Sequence, residues 1–442
     1  MYLHFIKLLC VVSLAYSLPK VEFPKLKEGG KIWALLVAGS NGWGNYRHQA
    51  DACHAYQVVR NHGIPEEQIV VMMVDDIANN SQNPTPGKII NQPDGPDVYQ
   101  GVKIDYSGLL NVVPEVFLKV MSGDSSGLSE RGTGRVINSG PNDHVFVNFV
   151  DHGGPGIIAF GRLFLHAKDL METLADMHKA QKFDKLLFYM EACESGSMFY
   201  NLLPKDYNIL ALTASNPDQS SYACYWDEER ETYLGDVFSV NWLQDSDKED
   251  LAKETIKKQF HIIKKETNTS VVCEYGDKTI AEMTVSEFQG KEKSTANVYP
   301  APDPNIGAVP SENVDLEILK YQYRTAMTED DRMFYLDKLE QETKRRESVP
   351  VIVKKIVDRA TNNINGRAKF LMDTRYDLYD TDCYKTVVEH LADNCPMLGL
   401  REQFGYALKH LYAFVNLCEE NVAMETILSA IDKEESCFGG KF

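Results

Sequence analysis

Val145-Phe146-Val147-Asn148-Phe149-Val150-Asp151-His152-Gly153-Gly154 and Leu186-Leu187-Phe188-Tyr189-Met190-Glu191-Ala192-Cys193-Glu194-Ser195-Gly196 decide how this chain is read. Each opens as a short apolar run of β-branched and aromatic residues and closes in a small, polar turn, which is the pattern of a buried strand. The stretch between them, 165–181, is helical in composition, so the two strands are joined by a crossover and run parallel. Open α/β sheets bind ligands beyond the carboxyl ends of their strands. His152 and Cys193 follow those ends, and one rim therefore receives an imidazole and a thiol, the pair required for a cysteine nucleophile with a histidine base. A helix starting after Cys193 would favour its thiolate. Gly153 lets the backbone approach a substrate and aim an N–H at a developing oxyanion.

Working outward, apolar runs recur at 32–38, 69–74 and 209–214, with helical stretches at 46–61, 109–121 and 234–243. Strand alternating with helix implies a mainly parallel sheet covered on both faces. Residues 80–106, rich in Pro, Gly, Asn and Asp, read as a surface excursion. Residues 247–266 read as one charged amphipathic helix. Pro300, Pro302, Pro304 and Pro310 mark a linker over 291–311. Beyond it, 314–346 and 349–371 are helical in composition, separated near the basic run Lys344-Arg345-Arg346, and 405–418 is a further helix. The expected partition is a leader at 1–17, a short segment at 18–29, an α/β catalytic domain at 30–290, a linker at 291–327 and a helical domain at 328–442.

The 442 residues are 43% hydrophobic, enough for a substantial core, and carry a formal net charge of −18. That balance excludes nucleic acid, whose phosphates demand a basic surface, and suits an acidic compartment. His4 and Lys7 precede an apolar stretch at 8–14 that is too short to cross a bilayer, followed by Ala15-Tyr16-Ser17, as in a secretory leader. No later run reaches the roughly 20 apolar residues of a membrane helix. Beyond Cys10, Cys383, Cys395, Cys418 and Cys437 cluster near the end. In an oxidising compartment they suggest two disulfides, with three pairings open. Cys53, Cys224 and Cys273 lack zinc-ligand spacing, so no metal is expected, and Cys53 and Cys224 read as structural. Asn79 and Asn268 open glycosylation sequons.

The turn Gly39-Ser40-Asn41-Gly42-Trp43-Gly44-Asn45-Tyr46-Arg47-His48 lacks the dinucleotide spacing. An Asn and an Arg at the sheet rim instead suit orienting a histidine and recognising a polar side chain. With GNYRHQADACHAY (44–56), DHG (151–153), EACESGSM (191–198), SSYAC (220–224) and TYLGD (232–236) in this order, the chain resembles the legumain family of asparaginyl endopeptidases over nearly its whole length. The resemblance implies a caspase-like fold, an α/β sheet flanked by helices, followed by a death-domain-like helical prodomain. It implies a His152–Cys193 dyad with Asn45 orienting His152. It also implies an oxyanion hole from the N–H groups of Gly153 and Cys193, and an asparagine pocket formed by Arg47, His48, Glu191, Ser221 and Asp236. An asparagine side chain offers an acceptor and a donor, which Arg47 and an acidic partner can match. A protonated aspartate mimics it, so aspartate cleavage is expected only at acidic pH.

The resemblance further implies disulfides Cys383–Cys418 and Cys395–Cys437, no cofactor, and a zymogen whose prodomain covers the active site. Its implied partners are protein and peptide substrates, the chain's own prodomain and cystatin-type inhibitors, in a lysosome- or vacuole-like compartment or in secretion. Lys344, Arg345, Arg346, Lys354 and Lys355 are expected to pair with acidic residues of the enzyme domain. Where relatives carry a processing asparagine, 323–328 has none, leaving Asn297, Asn305 or Asn313, or cleavage by another protease. Two alternatives remain: a peptide ligase using the same dyad, and a catalytically silent binding protein. The related glycolipid-anchor transamidase subunit commonly carries a C-terminal membrane helix that is absent here.

Overall fold

The computed structural model describes residues 25–294, 297–362, 364, 366–401 and 405–438; the expected leader at 1–17 lies outside them. Among the described residues, twelve strands occur in the order β1 (Ile32–Ala38), β2 (Ile69–Met73), β3 (His144–Val150), β4 (Gly153–Gly154), β5 (Ile157–Phe160), β6 (Leu163–His166), β7 (Lys185–Glu191), β8 (Ile209–Thr213), β9 (Tyr222–Asp227), β10 (Thr232–Asp236), β11 (Cys273–Gly276) and β12 (Val309–Pro310). The main sheet runs β11-β8-β7-β3-β1-β2. Its five inner and far strands are mutually parallel, and β11 is an antiparallel edge. β1, β2, β3 and β8 are buried throughout, as near-continuous apolar runs covered on both faces should be. Two smaller sheets, β4-β5-β6 and β10-β9-β12, flank the carboxyl-end rim.

Several expected helices begin later than their composition suggests. Residues 163–166 form β6 before the helix Ala167–Lys179, and 232–236 form β10 before the helix Val237–Lys248. Pro114, which cannot donate to a preceding turn, opens the helix Pro114–Ser122. The region 247–266 is not one helix: Thr255 caps a separate helix, Ile256–Glu266, by accepting from Lys258 N.

The C-terminal region departs in the opposite sense. Its break falls at 326–328, where Thr328 accepts from Asp331 N and starts the helix Glu329–Ala360. The basic run does not interrupt that helix, and Pro350 lies inside it. The proline removes one ladder bond, but buried Val349, Ile352, Val353, Ile356 and Val357 hold the helix against a mainly helical core that also takes in Ile157 of β5 and Phe164 of β6. The expected linker therefore contains the helix Val314–Thr325, and 405–418 divides into a 3-10 turn, Tyr406–Leu411, and the helix Tyr412–Glu419. Disulfides join Cys383 to Cys418 and Cys395 to Cys437.

The basic residues are held by groups of their own region and of the linker, where acids of the enzyme domain were expected. Lys344 and Lys354 pair with Glu340 and Asp358 on their own helix, Arg345 reaches Glu342, and Lys355 reaches Ser436. Arg346 holds Glu342, Asn313, Asp315 and the Glu312 carbonyl, so it grips the linker. Residues spaced three or four apart on a helix are neighbours, and local acids capture the cations first. The two regions are instead tied by Lys385–Asp169, Glu389–His166 and Asp382–Lys168.

Candidate active site

Parallel register pairs Val150 with Glu191, so His152 and Cys193 each stand two residues beyond the same rung. The turns that carry them touch: a Cβ placed on Gly153 would lie 2.1 Å from the Cys193 carbonyl oxygen, so that position has room for glycine alone. Cys193 is followed by Glu194 at φ 49°, a left-handed conformation that a non-glycine residue adopts at a cost. What comes next is a single 3-10 turn, Ser195–Met198, rather than a long helix. The expected helix dipole is thus reduced to one turn. Burial and the carboxylates of Glu312 and Glu194 push the Cys193 thiol well up from its ordinary value in this state.

His152 Nε2 lies 2.9 Å from Asn45 Oδ1. Asn45 Nδ2 donates to the Asn41 carbonyl, which leaves Oδ1 as acceptor and requires the His152 proton to sit on Nε2. Nδ1 is then the basic nitrogen. His48 packs edge-on against His152 with ring centroids 5.0 Å apart, and its Nδ1 meets Ser40 Oγ at 2.7 Å. Burial, then Arg47 and His152, hold the His48 imidazole well below its ordinary proton affinity. His48, Asp151 and His152 are the set of His and acidic residues, among the described residues, whose ligand atoms converge to within 4.8 Å. Each already engages the protein, Asp151 through the His152 N–H.

Beside Cys193, buried charged side chains gather into a recess. Arg47 Nε donates to Asp236 Oδ1 at 2.9 Å and Arg47 Nη1 to the Gly44 carbonyl, while Arg47 Nη2 has no protein acceptor. Glu191 Oε2 accepts from the N–H and Oγ of Ser239, and Glu191 Oε1 has no protein donor. Burial raises the proton affinity of Glu191 and Asp236, and Asp236 adds to the effect at Glu191. Ser221 closes the mouth, its N–H 3.4 Å from Cys193 Sγ. Arg47, His48, Glu191, Ser221 and Asp236 are thus brought together around one recess.

The linker occupies the cleft. β12 pairs antiparallel with β9, Ser311 N donates to the Ser221 carbonyl, and Ser311 Oγ reaches Asp236 Oδ1 at 3.3 Å. Glu312 Oε2 sits 3.8 Å from Cys193 Sγ, with Lys409 of the helical region 3.6 Å from its other oxygen. Above the rim, Leu408 covers Gly154 and Gly405 stands against His152. Neither Ser311 nor Glu312 was marked by sequence reasoning, because both lie in a segment read as linker. Their only signal is the apolar-small run Ala308-Val309-Pro310-Ser311 within that segment.

The model of the Peptidase C13 family matches residues 32–291, and that of the legumain prodomain matches 337–437. This chain belongs to the Peptidase C13 family. It is 45% identical to legumain of Homo sapiens over 427 residues, 96% of this chain and 98% of that one. Against legumain of Rattus norvegicus it is 47% identical over 408 residues, covering 92% and 93%. Hemoglobinase of Schistosoma japonicum is 38% identical over 436 residues, 98% of each chain. A caspase-1 structure from Spodoptera frugiperda, at TM-score 0.35 and 12% identity over 63% of this chain, is too distant to argue from. This C13 peptidase is a cysteine endopeptidase made with a C-terminal prodomain, and no described helix is long and apolar enough to cross a membrane.

Proposed function

We propose that the processed enzyme hydrolyses peptide bonds on the carboxyl side of asparagine, with Cys193 as nucleophile and His152 as base. The observation that carries this reading is the recess, where buried Arg47 Nη2 and Glu191 Oε1 have no protein partner. An unmatched donor with the unmatched acceptors Glu191 Oε1, when ionised, and Asp236 Oδ2 is the complement of a primary carboxamide, which has one acceptor and two N–H donors. An apolar side chain would leave these groups desolvated and unpaired, and is rejected on that ground.

His152 Nδ1 takes the thiol proton as Sγ attacks the scissile carbonyl; Asn45 holds the ring, and the N–H groups of Gly153 and Cys193 stabilise the oxyanion. The same imidazolium then gives its proton to the leaving amine, and water resolves the acyl-enzyme. In the zymogen, Ser311 holds the place of the recognised side chain by its backbone pairing and offers no carboxamide. The catalytic domain at 30–290 is in this reading released from the linker at 291–327 and the prodomain at 328–442. Protein substrates, and inhibitors of the cystatin type, compete for the cleft that β12 fills. Burial-raised carboxyls favour work in an acidic lysosome- or vacuole-like compartment reached through the secretory pathway, where exposed Asn79 and Asn268 would be glycosylated.

The test is acid incubation of the proprotein and its Cys193→Ala variant, followed by mass and by matched Asn, Asp and Gln peptides. Asn-selective turnover and a mass drop, both lost in the variant, are expected. Equal cleavage of Asn and Gln peptides, or turnover that survives Cys193→Ala, would overturn the reading.

A further inference from the structure

Arg47, Asp51 and His54 stand at successive turns of the helix Tyr46–Asn61 and therefore share one face. Arg47 belongs to the specificity recess; the other two lead away from it. Asp51 adjoins Asp236, and burial, then that neighbour, raise its proton affinity well above the ordinary value, because two adjoining carboxylates resist ionising together. Asp236 faces Arg47, so the proton rests on Asp51 and the charge on Asp236. Asn91 Nδ2 donates to Asp51 Oδ1 at 2.7 Å and to the Leu234 carbonyl at 2.9 Å. Both amide hydrogens are spent, and Asn91 Oδ1 must accept from His54 Nδ1, 2.8 Å away. His54 Nε2 lies 2.9 Å from Asp247 Oδ2. A neutral ring protonated on Nδ1 would press a lone pair against that carboxylate. Only the imidazolium satisfies both neighbours.

We infer that the hydrogen-bonded line Asp51–Asn91–His54–Asp247, which adjoins Asp236 at its inner end, couples the specificity recess to solvent acidity, and that His54 and Asp247 are positioning residues for asparagine recognition. The inference rests on the asparagine reading above. The outer end is open to water: Asp247 is a quarter exposed, and a cavity of about 170 Å³ lies beside His54. The groups facing that end are Asp51 on the ring's own helix, Asn91 and Asp97 from the excursion, and Asp247 and Lys248 from the helix Val237–Lys248. Asp247 holds the His54 proton against the opposing effect of burial. When that proton leaves, the ring keeps one N–H, and either Asp247 or Asn91 loses its donor. If Asn91 turns its amide to compensate, its oxygen faces Asp51 and draws the Asp51 proton toward itself and away from Asp236. The Arg47–Asp236 pair that frames the recess is then altered, and asparagine binding weakens as pH rises. The linker residues Asn297, Val298 and Tyr299 line the same cavity, so processing opens this end further.

The processed enzyme is assayed with an Asn peptide across about pH 4 to 8, as wild type, Asp247→Asn and His54→Gln, with melting temperatures recorded for each. Asp247→Asn removes the anion that retains the proton. It should move the descending limb of kcat/KM by about one unit toward lower pH, through KM more than kcat, and His54→Gln should abolish that limb's dependence on this ionisation. In parallel, the His54 ring is titrated by NMR in wild-type enzyme, which needs no variant to fold; it should titrate within the same limb. Superimposed profiles for wild type and Asp247→Asn, or a His54 ring that stays neutral from about pH 4 upward, would overturn the inference. Failure of wild type to prefer Asn peptides would instead overturn the proposed function, while the NMR titration still judges the line.

Discussion

The two halves of this molecule keep their acids in opposite places. In the sheet-containing half, Asp51, Asp151, Glu191, Glu194, Asp236, Asp245 and Glu254 are buried, and burial raises the proton affinity of every one. In the helical half the other described acids stay near the surface, many beside a cation, and buried Glu434, held by Arg359 and Ser436, has its proton affinity lowered. That half closes its smaller core with two disulfides, whereas among the described residues the sheet half has none. A large core can carry buried charge at the expense of stability at neutral pH; a small one needs staples. One half therefore answers to protons and the other to redox state.

The largest effect that would sharpen this contrast is on the staples. Cys395 and Cys437 close a span of 42 residues, so removing that bridge by Cys395→Ser with Cys437→Ser should cost about 3–4 kcal/mol. Thermal unfolding of the proprotein should show the helical transition falling while the sheet transition keeps its midpoint. If both midpoints fall together, the halves are one cooperative unit and the contrast is broken.

Next is the response to pH. Burial and the neighbouring Asp245 push Glu254 up to about 7. A carboxyl raised in the folded state binds its proton more tightly there than in the unfolded chain. The unfolded chain ionises first as pH rises through its ordinary value, and folded stability declines until the folded value is passed. The midpoint of the processed enzyme should therefore fall between about pH 4.5 and pH 7, and Glu254→Gln should flatten part of that slope. A midpoint that rises over this window would contradict the assignment.

The smallest effect concerns the contact between the halves. Glu312→Gln removes the carboxylate 3.8 Å from Cys193 Sγ while keeping the linker in place. Alkylation of Cys193 in the proprotein should quicken by about three- to tenfold, read by mass. An unchanged rate would mean that burial alone silences the thiol.

Much of the sheet half was legible because its signals are local. The β3 and β7 runs end where their apolar residues end, and His152 and Cys193 follow in turns that residue type alone marks. The helix Tyr46–Asn61 was likewise readable. β6 and β10 were not, since Leu163–His166 and Thr232–Asp236 run directly into helices and strand pairing is a tertiary fact. The break expected near 344–346 is absent for the converse reason: packing of Val349, Ile352 and Val353 carries the helix through even the nearby Pro350. Asp51 and His54 looked like ordinary helix positions, and only Asn91 and Asp247, distant in sequence, give them a role. The basic run at 344–346 invited pairing with the enzyme domain, yet Lys344 and Arg345 take acids one turn away and Arg346 reaches Asp315 of the linker.

Ser311 is tethered to the cleft through its own chain, so its effective concentration there does not fall when the protein is diluted. A serine in the recess is poorly matched for cutting, so the occupant neither leaves by dilution nor is consumed by the cleft it fills. The first productive cut must come from another molecule whose cleft is already clear. Activation then feeds on its own product, with a lag that lengthens as the proprotein is diluted and collapses when a trace of processed enzyme is added.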